Sequence, residues 1–260
     1  MIPNEVIIIG GGYSIKDGLS QGLKDKIKDK FVITINYAYK HFDSTFTSYV
    51  DYNPTKQSNQ GFYEHEYDKI DSLPLLIGTY RSKDEVPYPN TLRLYASGHY
   101  NRDLRDGVYR KNLAGVFTLS LAIYLIDKGN IYLLGYDYGK LKKNKNKKKF
   151  NRNLTHYYQG EINHRGIGKD AYYNSPNKQM IDFGYFQNEE KCKIIVVGDS
   201  NLTLFPNISY EEFFKRLSNS KYNQKRLRKE IIKKTIKCKA LKKGDYFKQF
   251  LDHHNNIDYK

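Results

Sequence analysis

The feature that most constrains the fold is the run Val6-Ile7-Ile8-Ile9, which leads directly into Gly10-Gly11-Gly12-Tyr13-Ser14. Four consecutive β-branched residues leave no polar face for water, so the run suits a strand covered on both sides, as in a parallel sheet. A parallel neighbour requires a crossover. The stretch 15–28 has helical character, and Phe31-Val32-Ile33-Thr34-Ile35-Asn36 then reads as a second strand. Together these predict a right-handed β-turn-α-β unit.

The pattern recurs along the chain. Third, fourth and fifth strands are predicted over 47–52, 74–78 and 91–95, and the Tyr-, Arg- and Gly-rich stretch 96–110 reads as a loop. A helix over 116–126 precedes the buried strand Ile131-Tyr132-Leu133-Leu134-Gly135, and a second helix is expected over 174–188. Lys193-Ile194-Ile195-Val196-Val197 is the last buried strand. Strands alternating with helices predict a doubly wound α/β domain with a mostly parallel sheet over residues 1–208. Residues 209–260 read as a basic helical C-terminal extension with a stripe of Leu227, Ile231, Ile232 and Ile236. That stripe allows three readings, a helix packed on the domain, a membrane-surface helix or a nucleic-acid arm.

Charge widens the range of partners. The net charge of +16 attracts nucleic acid, anionic membrane or acidic ligands without choosing among them. The lysine run bounded by Lys142 and Lys149 and the basic tail are where such partners would attach. Cys192 and Cys238 have no metal-type spacing and form no disulfide framework, which suits a reducing interior. The start of the chain lacks a basic region before its apolar run, and that run is too short for a signal sequence or a membrane span. The expected location is cytoplasmic, with peripheral attachment to the inner membrane surface as an alternative.

In parallel sheets, ligands sit beyond the carboxyl ends of the strands, near the point where strand order reverses. This rule gathers Gly10, Gly11, Gly12 and Ser14, Asn36, Asp51 to Pro54, Asp137 with Tyr138, and Ser200 with Asn201 into one predicted site. The glycine turn offers close backbone approach to a phosphate, and Ser14 either caps the next helix or donates to an oxygen. Asn36 and Asn53 suit a base edge or a ribose, although Asn53-Pro54 is also ordinary turn chemistry. Asp51 and Asp137 would bind Mg²⁺ if the ligand carries a di- or triphosphate. His156 is a candidate general base with His164 as a second, while His253-His254 reads as terminal tail.

Taken in order, these pieces resemble the bacterial family 42 sialyltransferases. The segment from Val6 to Lys16 is similar to their opening V-I-I-x-G-N-G-P-S-L-K, which also occurs in proteins similar to archaeal 6-hydroxymethylpterin diphosphokinase. Tyr52-Asn53-Pro54 resembles their F-Y-N-P, and Gly115-Val116-Phe117 with Ile131 to Tyr138 resembles their S-G-V and I-Y-L-x-G-I-D-F segments. His156-Tyr157 is similar to an H-Y pair whose His is the general base, and Ser200-Asn201-Leu202 to N-S-x-L. Gly11, Tyr13, Ala114 and Gly139 depart from that pattern.

The resemblance implies a Rossmann-like fold and a nucleotide-dependent transferase acting on a nucleotide-activated sugar and a hydroxyl-bearing acceptor. Gly10, Gly11, Gly12, Ser14, Asn36, Asn53, Gly115, Asp137, Tyr138 and Ser200 would hold the nucleotide. His156 would take the acceptor's proton, and Arg110, Lys111, Tyr157 or Tyr138 would stabilise the leaving phosphate. That reaction requires no metal. A first alternative is pyrophosphoryl transfer from ATP to a pterin-like alcohol, which uses Mg²⁺ at Asp51 and Asp137. A second is a nucleic-acid-binding protein with a vestigial pocket.

Overall fold

The computed structural model describes residues 2–50, 75–80, 91–109, 113–138, 176–242 and 244–256. The opening run forms β1 (Glu5–Ile9), with all five residues buried. The predicted helix after it is two short ones, α1 (Ile15–Ser20) and α2 (Leu23–Lys26). The break falls at Gly22, which holds the left-handed φ of 79° that other residues avoid. β2 (Val32–Ile35) passes at Asn36 into a 3₁₀ turn, and β3 (Phe46–Tyr49), β4 (Leu75–Tyr80) and β5 (Thr91–Ser97) follow.

The stretch read as one loop contains a two-residue strand, β6 (Val108–Tyr109), paired with the end of β5. Helix α3 (Ala114–Leu125) leads to β7 (Gly129–Leu134). Helix α4 (Pro176–Phe183) precedes β8 (Cys192–Val197) and a second short strand unforeseen in the sequence, β9 (Asn207–Ile208). Three helices close the chain, α5 (Tyr210–Arg216), α6 (Gln224–Thr235) and α7 (Gly244–Asn256).

The nine described strands form one sheet in the order β6-β5-β4-β3-β2-β1-β7-β8-β9, and every pairing is parallel. The protein is therefore an α/β protein with an all-parallel, Rossmann-like sheet flanked by helices. Alternation along each strand sends side chains to opposite layers. Val6, Ile8, Ile33, Leu133 and Val196 pack in one core with residues of α3, α4, α6 and α7, whereas Ile7, Ile9, Val32, Leu134 and Val197 pack in the other with residues of α1, α2 and α5. Both layers explain why the strands read as continuous apolar runs.

The basic C-terminal helices belong to these cores. Leu227, Ile231 and Ile232 of α6 are buried, as are Tyr246 and Phe250 of α7. At roughly 1.5–3 kcal/mol for each fully buried large aliphatic side chain, the stripe is a substantial anchor. Caps set the helix starts: Ser209 accepts from Glu212 N–H at 3.1 Å and Asn223 from Arg226 N–H at 2.9 Å. His253 and His254 lie on α7 rather than in a tail, and His254 is buried. Among the described residues, no helix is long and apolar enough to cross a membrane.

Candidate functional site

Register brings four strand ends level. Ile9 pairs with Thr34 on one side and Leu134 on the other, and Leu134 pairs with Val197. Strand order reverses between β1 and β7. The chain therefore leaves β1 as Gly10, β2 as Asn36, β7 as Gly135 and β8 as Gly198 along one edge, at the reversal point where sheets of this kind bind ligands.

At that edge the glycine turn is locked to the end of β7. Gly10 N–H donates to Leu134 O at 2.8 Å, and Gly12 N–H donates to Gly135 O at 2.9 Å. Asp137 sits against the turn: Ser14 N–H donates to its Oδ2 at 2.9 Å, Ser14 Oγ donates to its Oδ1 at 2.5 Å, and the Tyr13 backbone also donates to it. A Cβ at Gly12 would lie 2.4 Å from Asp137 Cγ and 2.6 Å from Gly135 O. The turn is glycine here because a carboxylate and a second strand end come that close. The place expected to cradle a phosphate holds the chain's own carboxylate. Ser14 makes no side-chain cap to α1, and its hydroxyl donates to Asp137.

Asp137 is buried, and burial raises its carboxyl to about 6, while the Ser14 and Tyr13 donors pull the other way and nearby Asp199 pushes it up further. Asn36 carries a left-handed φ of 50°, and its Oδ1 is buried with no hydrogen-bond partner. An unpaired buried acceptor costs about 1–3 kcal/mol, and strained backbone with an unsatisfied polar atom is typical of a ligand edge.

Tyr138, also at φ 50°, donates its hydroxyl to Asp182 Oδ2 at 2.5 Å, and Lys178 pairs with the same buried carboxylate. Ser200 braces the loop after β8, donating to Tyr136 O at 2.5 Å and accepting from Leu202 N–H at 2.9 Å. Asn201 N–H reaches Asp137 O at 2.9 Å. Gly115 lies instead at the start of α3 against the Tyr136 ring, whose hydroxyl donates to Gly115 O at 3.1 Å.

The structure thus brings Gly10, Gly12, Ser14, Asp137 and Ser200 into one bonded group, with Gly11 inside its turn and Asn36 along the same edge. Asp51, Asn53, Arg110, Lys111, His156, His164, Tyr157 and the lysine run lie outside the described residues. Among the described residues, no group of three or more His, Cys, Asp or Glu side chains could hold a metal ion. Asp182, Lys178, Asp199 and Tyr210 were missed by the sequence reading. Only the Lys178–Asp182 spacing of four residues on a helix signalled a pair.

Part of the basic charge is used inside the fold. Arg228 donates to Thr45 O at 2.8 Å and Ser44 O at 3.1 Å, and Lys234 donates to Leu125 O at 2.9 Å. No family model matches the chain, and neither does any curated protein or solved structure.

Proposed function

We propose that the protein is a nucleotide-dependent transferase whose nucleotide lies along the carboxyl edge of β2, β1, β7 and β8. The observation that carries this reading is Asn36. Its buried, unpaired Oδ1 and left-handed backbone stand at the carboxyl end of β2, one strand from the β1–β7 reversal. An acceptor with no partner calls for a donor from outside, such as a base amine or a ribose hydroxyl.

Asp137 refines how the nucleotide would lie. With the turn's donors bonded to a carboxylate, hydroxyl and amine groups of the ligand belong at the β1–β7 crossing, and its phosphate belongs farther along the edge. Arg110, Lys111 and Tyr157 are the groups proposed to meet that phosphate, and His156 is proposed to take the proton of the acceptor hydroxyl. A second reading, pyrophosphoryl transfer from ATP, is favoured by one observation. Asp199 lies near enough to Asp137 to raise its carboxyl, and two carboxylates at one edge suit a Mg²⁺ ion that bridges phosphates.

The test is a thermal-shift and calorimetric titration with CMP, CTP and ATP, each with and without Mg²⁺. Saturation by a cytidine nucleotide without metal supports the transferase, with about 2.7 kcal/mol of stabilisation at a hundredfold excess over Kd. Binding of ATP that requires Mg²⁺ moves the assignment to the second reading. Failure of every nucleotide to bind ends both. Within the transferase reading, His156→Ala is expected to abolish turnover and leave nucleotide affinity unchanged.

A further inference from the structure

Helix α6 has two opposite faces. Leu227, Ile231, Ile232 and Thr235 are buried. At about 100° of rotation per residue, Arg226, Lys229, Lys233 and Lys237 fall within an arc of about 80° on the other side. Lys237 lies in the turn that continues the helix. Arg226, Lys233 and Lys237 are exposed, and Lys229 is partly so. At a rise of about 1.5 Å per residue, the four cations form a straight row about 16 Å long.

Little in the fold balances this row. α6 carries six basic residues and one acidic residue. Arg228 and Lys234 turn toward backbone carbonyls of the domain. Glu230 pairs with Lys233 at 3.3 Å, a solvent-facing contact that is worth little. Arg226, Lys229 and Lys237 make no ion pair among the described residues. The neighbouring helix α5 differs: Lys215 pairs with Glu211 and Arg216 with Glu212, each at 2.7 Å. A lysine-rich composition alone therefore does not leave a helix unbalanced in this chain.

The position of α6 sets the row apart from the carboxyl edge. Its side chains donate to Lys30 O, Ser44 O, Thr45 O and Leu125 O, each shortly before a strand begins. The helix thus lies at the amino end of the sheet, and its outer face is independent of the nucleotide site proposed above.

Such a row attracts a polyanion, and its surroundings select which one. A membrane-surface helix sinks an apolar face into lipid, whereas the apolar face of α6 is packed in the core. A single nucleic-acid strand is held by stacking its bases on aromatic side chains. The exposed large hydrophobic side chains among the described residues are Tyr95, Met180, Ile181 and Tyr185, and none lies on α6. A duplex requires neither feature. It presents about one negative charge per 1.7 Å of axis, which a rigid line of cations neutralises without reading bases.

We propose that the outer face of α6 binds the phosphate backbone of double-stranded nucleic acid, without regard to sequence. The experiment follows the fluorescence anisotropy of a labelled duplex of about 20 base pairs, in two unrelated sequences, from about 50 to 200 mM salt. The full-length chain is the titrant. Four contacts account for a slope of about −3.6 in log K against log salt, or about a hundredfold loss of affinity over that range. Combining Arg226→Gln, Lys229→Gln, Lys233→Gln and Lys237→Gln is expected to flatten the slope by about 3–4 and to weaken binding of both sequences alike. A control removes the same charge at other exposed positions, through Lys24→Gln, Lys28→Gln, Lys191→Gln and Lys193→Gln. Its slope is expected to stay within about one unit of the parent's.

Absence of duplex binding overturns the proposal. So do equal losses in the two variants, which make net charge the cause, and an α6 variant that binds as tightly as the parent. Tighter binding to a single strand, or to vesicles of phosphatidylcholine and phosphatidylserine, also overturns it. Should the α6 variant unfold, amide chemical shifts of the parent decide. Added duplex is expected to move the amides of Arg226, Lys229, Lys233 and Lys237, and movement confined to other segments refutes the assignment.

Discussion

Replacing Asp137 with asparagine is expected to make the protein more stable at neutral pH. The carboxyl is raised from 3.8 to about 6 in the folded chain, chiefly by burial. The folded state therefore keeps its proton through a pH window in which the unfolded chain has already lost it. Stability falls as pH climbs from about 4 to about 6 and stays lower above that. At about 1.36 kcal/mol for each pH unit of that window, the loss comes to roughly 3 kcal/mol. The asparagine side chain is isosteric and would keep both contacts to Ser14, with its oxygen accepting from Ser14 N–H and its amide donating to Ser14 Oγ. Asp137→Asn should then match the parent near pH 4 and exceed it by roughly 3 kcal/mol near pH 7.5, or about 6–12 °C in Tm. Urea denaturation of both proteins across that pH range is the assay. A variant less stable than the parent at pH 7.5, by a margin that does not change with pH, would refute the reasoning, because the donors of Ser14 and Tyr13 would then outweigh burial. On the nucleotide reading proposed above, the same substitution is expected to weaken nucleotide binding.

Three further outcomes follow from the same geometry. Asn36→Gly removes the backbone strain at φ 50° and the unpaired oxygen together, so stability should hold or rise by up to about 1 kcal/mol, while the Tm shift caused by nucleotide disappears. Gly12→Ala places a methyl carbon 2.4 Å from Asp137 Cγ; a loss of about 2 kcal/mol or more is expected, against about 1 kcal/mol for Gly22→Ala, where space is open and only the positive φ resists. Ile231→Ala, at a fully buried position, should cost about 2–5 kcal/mol in chemical denaturation, whereas Lys229→Ala should leave stability within about 0.5 kcal/mol.

The parallel sheet was legible because its strands have no polar face. Val6 to Ile9, Ile131 to Leu134 and Ile194 to Val197 each need cover on two sides, and only a layered α/β arrangement supplies it. The carboxyl-edge rule then assembled Gly10, Ser14, Asn36, Asp137 and Ser200 without any contact being visible in the sequence. Local breaks were harder to read. A helical pattern over 15–28 contains Gly22, and whether a glycine interrupts a helix depends on how the next segment packs; here Leu23 and Ile27 are pulled into the core beneath β1 and β2. Strands of two residues such as β6 and β9 carry no periodicity at all. β6 joins β5 where Ala96 runs past the last pair with β4, and β9 joins the side of β8 opposite β7, at Val196 and Val197. The pairing of Asp182 with Tyr138 spans 44 residues, and nothing local in either segment announces it.

At the glycine turn, the chemistry that the motif suggests and the physical reason for its glycines differ. Its position after β1 suggests a phosphate cradle, but the reason for glycine at position 12 is steric: two strand ends and a carboxylate meet where a Cβ would collide. A turn whose amides are bonded to Asp137 favours the hydroxyl and amine groups of a ligand over its phosphate. Alongside, Asp17 and Asp199 line a groove that no described lysine or arginine lines, within a chain of net charge +16. On the nucleotide reading proposed above, the Asp137 carboxylate at the β1–β7 reversal therefore turns the hydroxyl and amine groups of the ligand toward that point and its phosphate away from it.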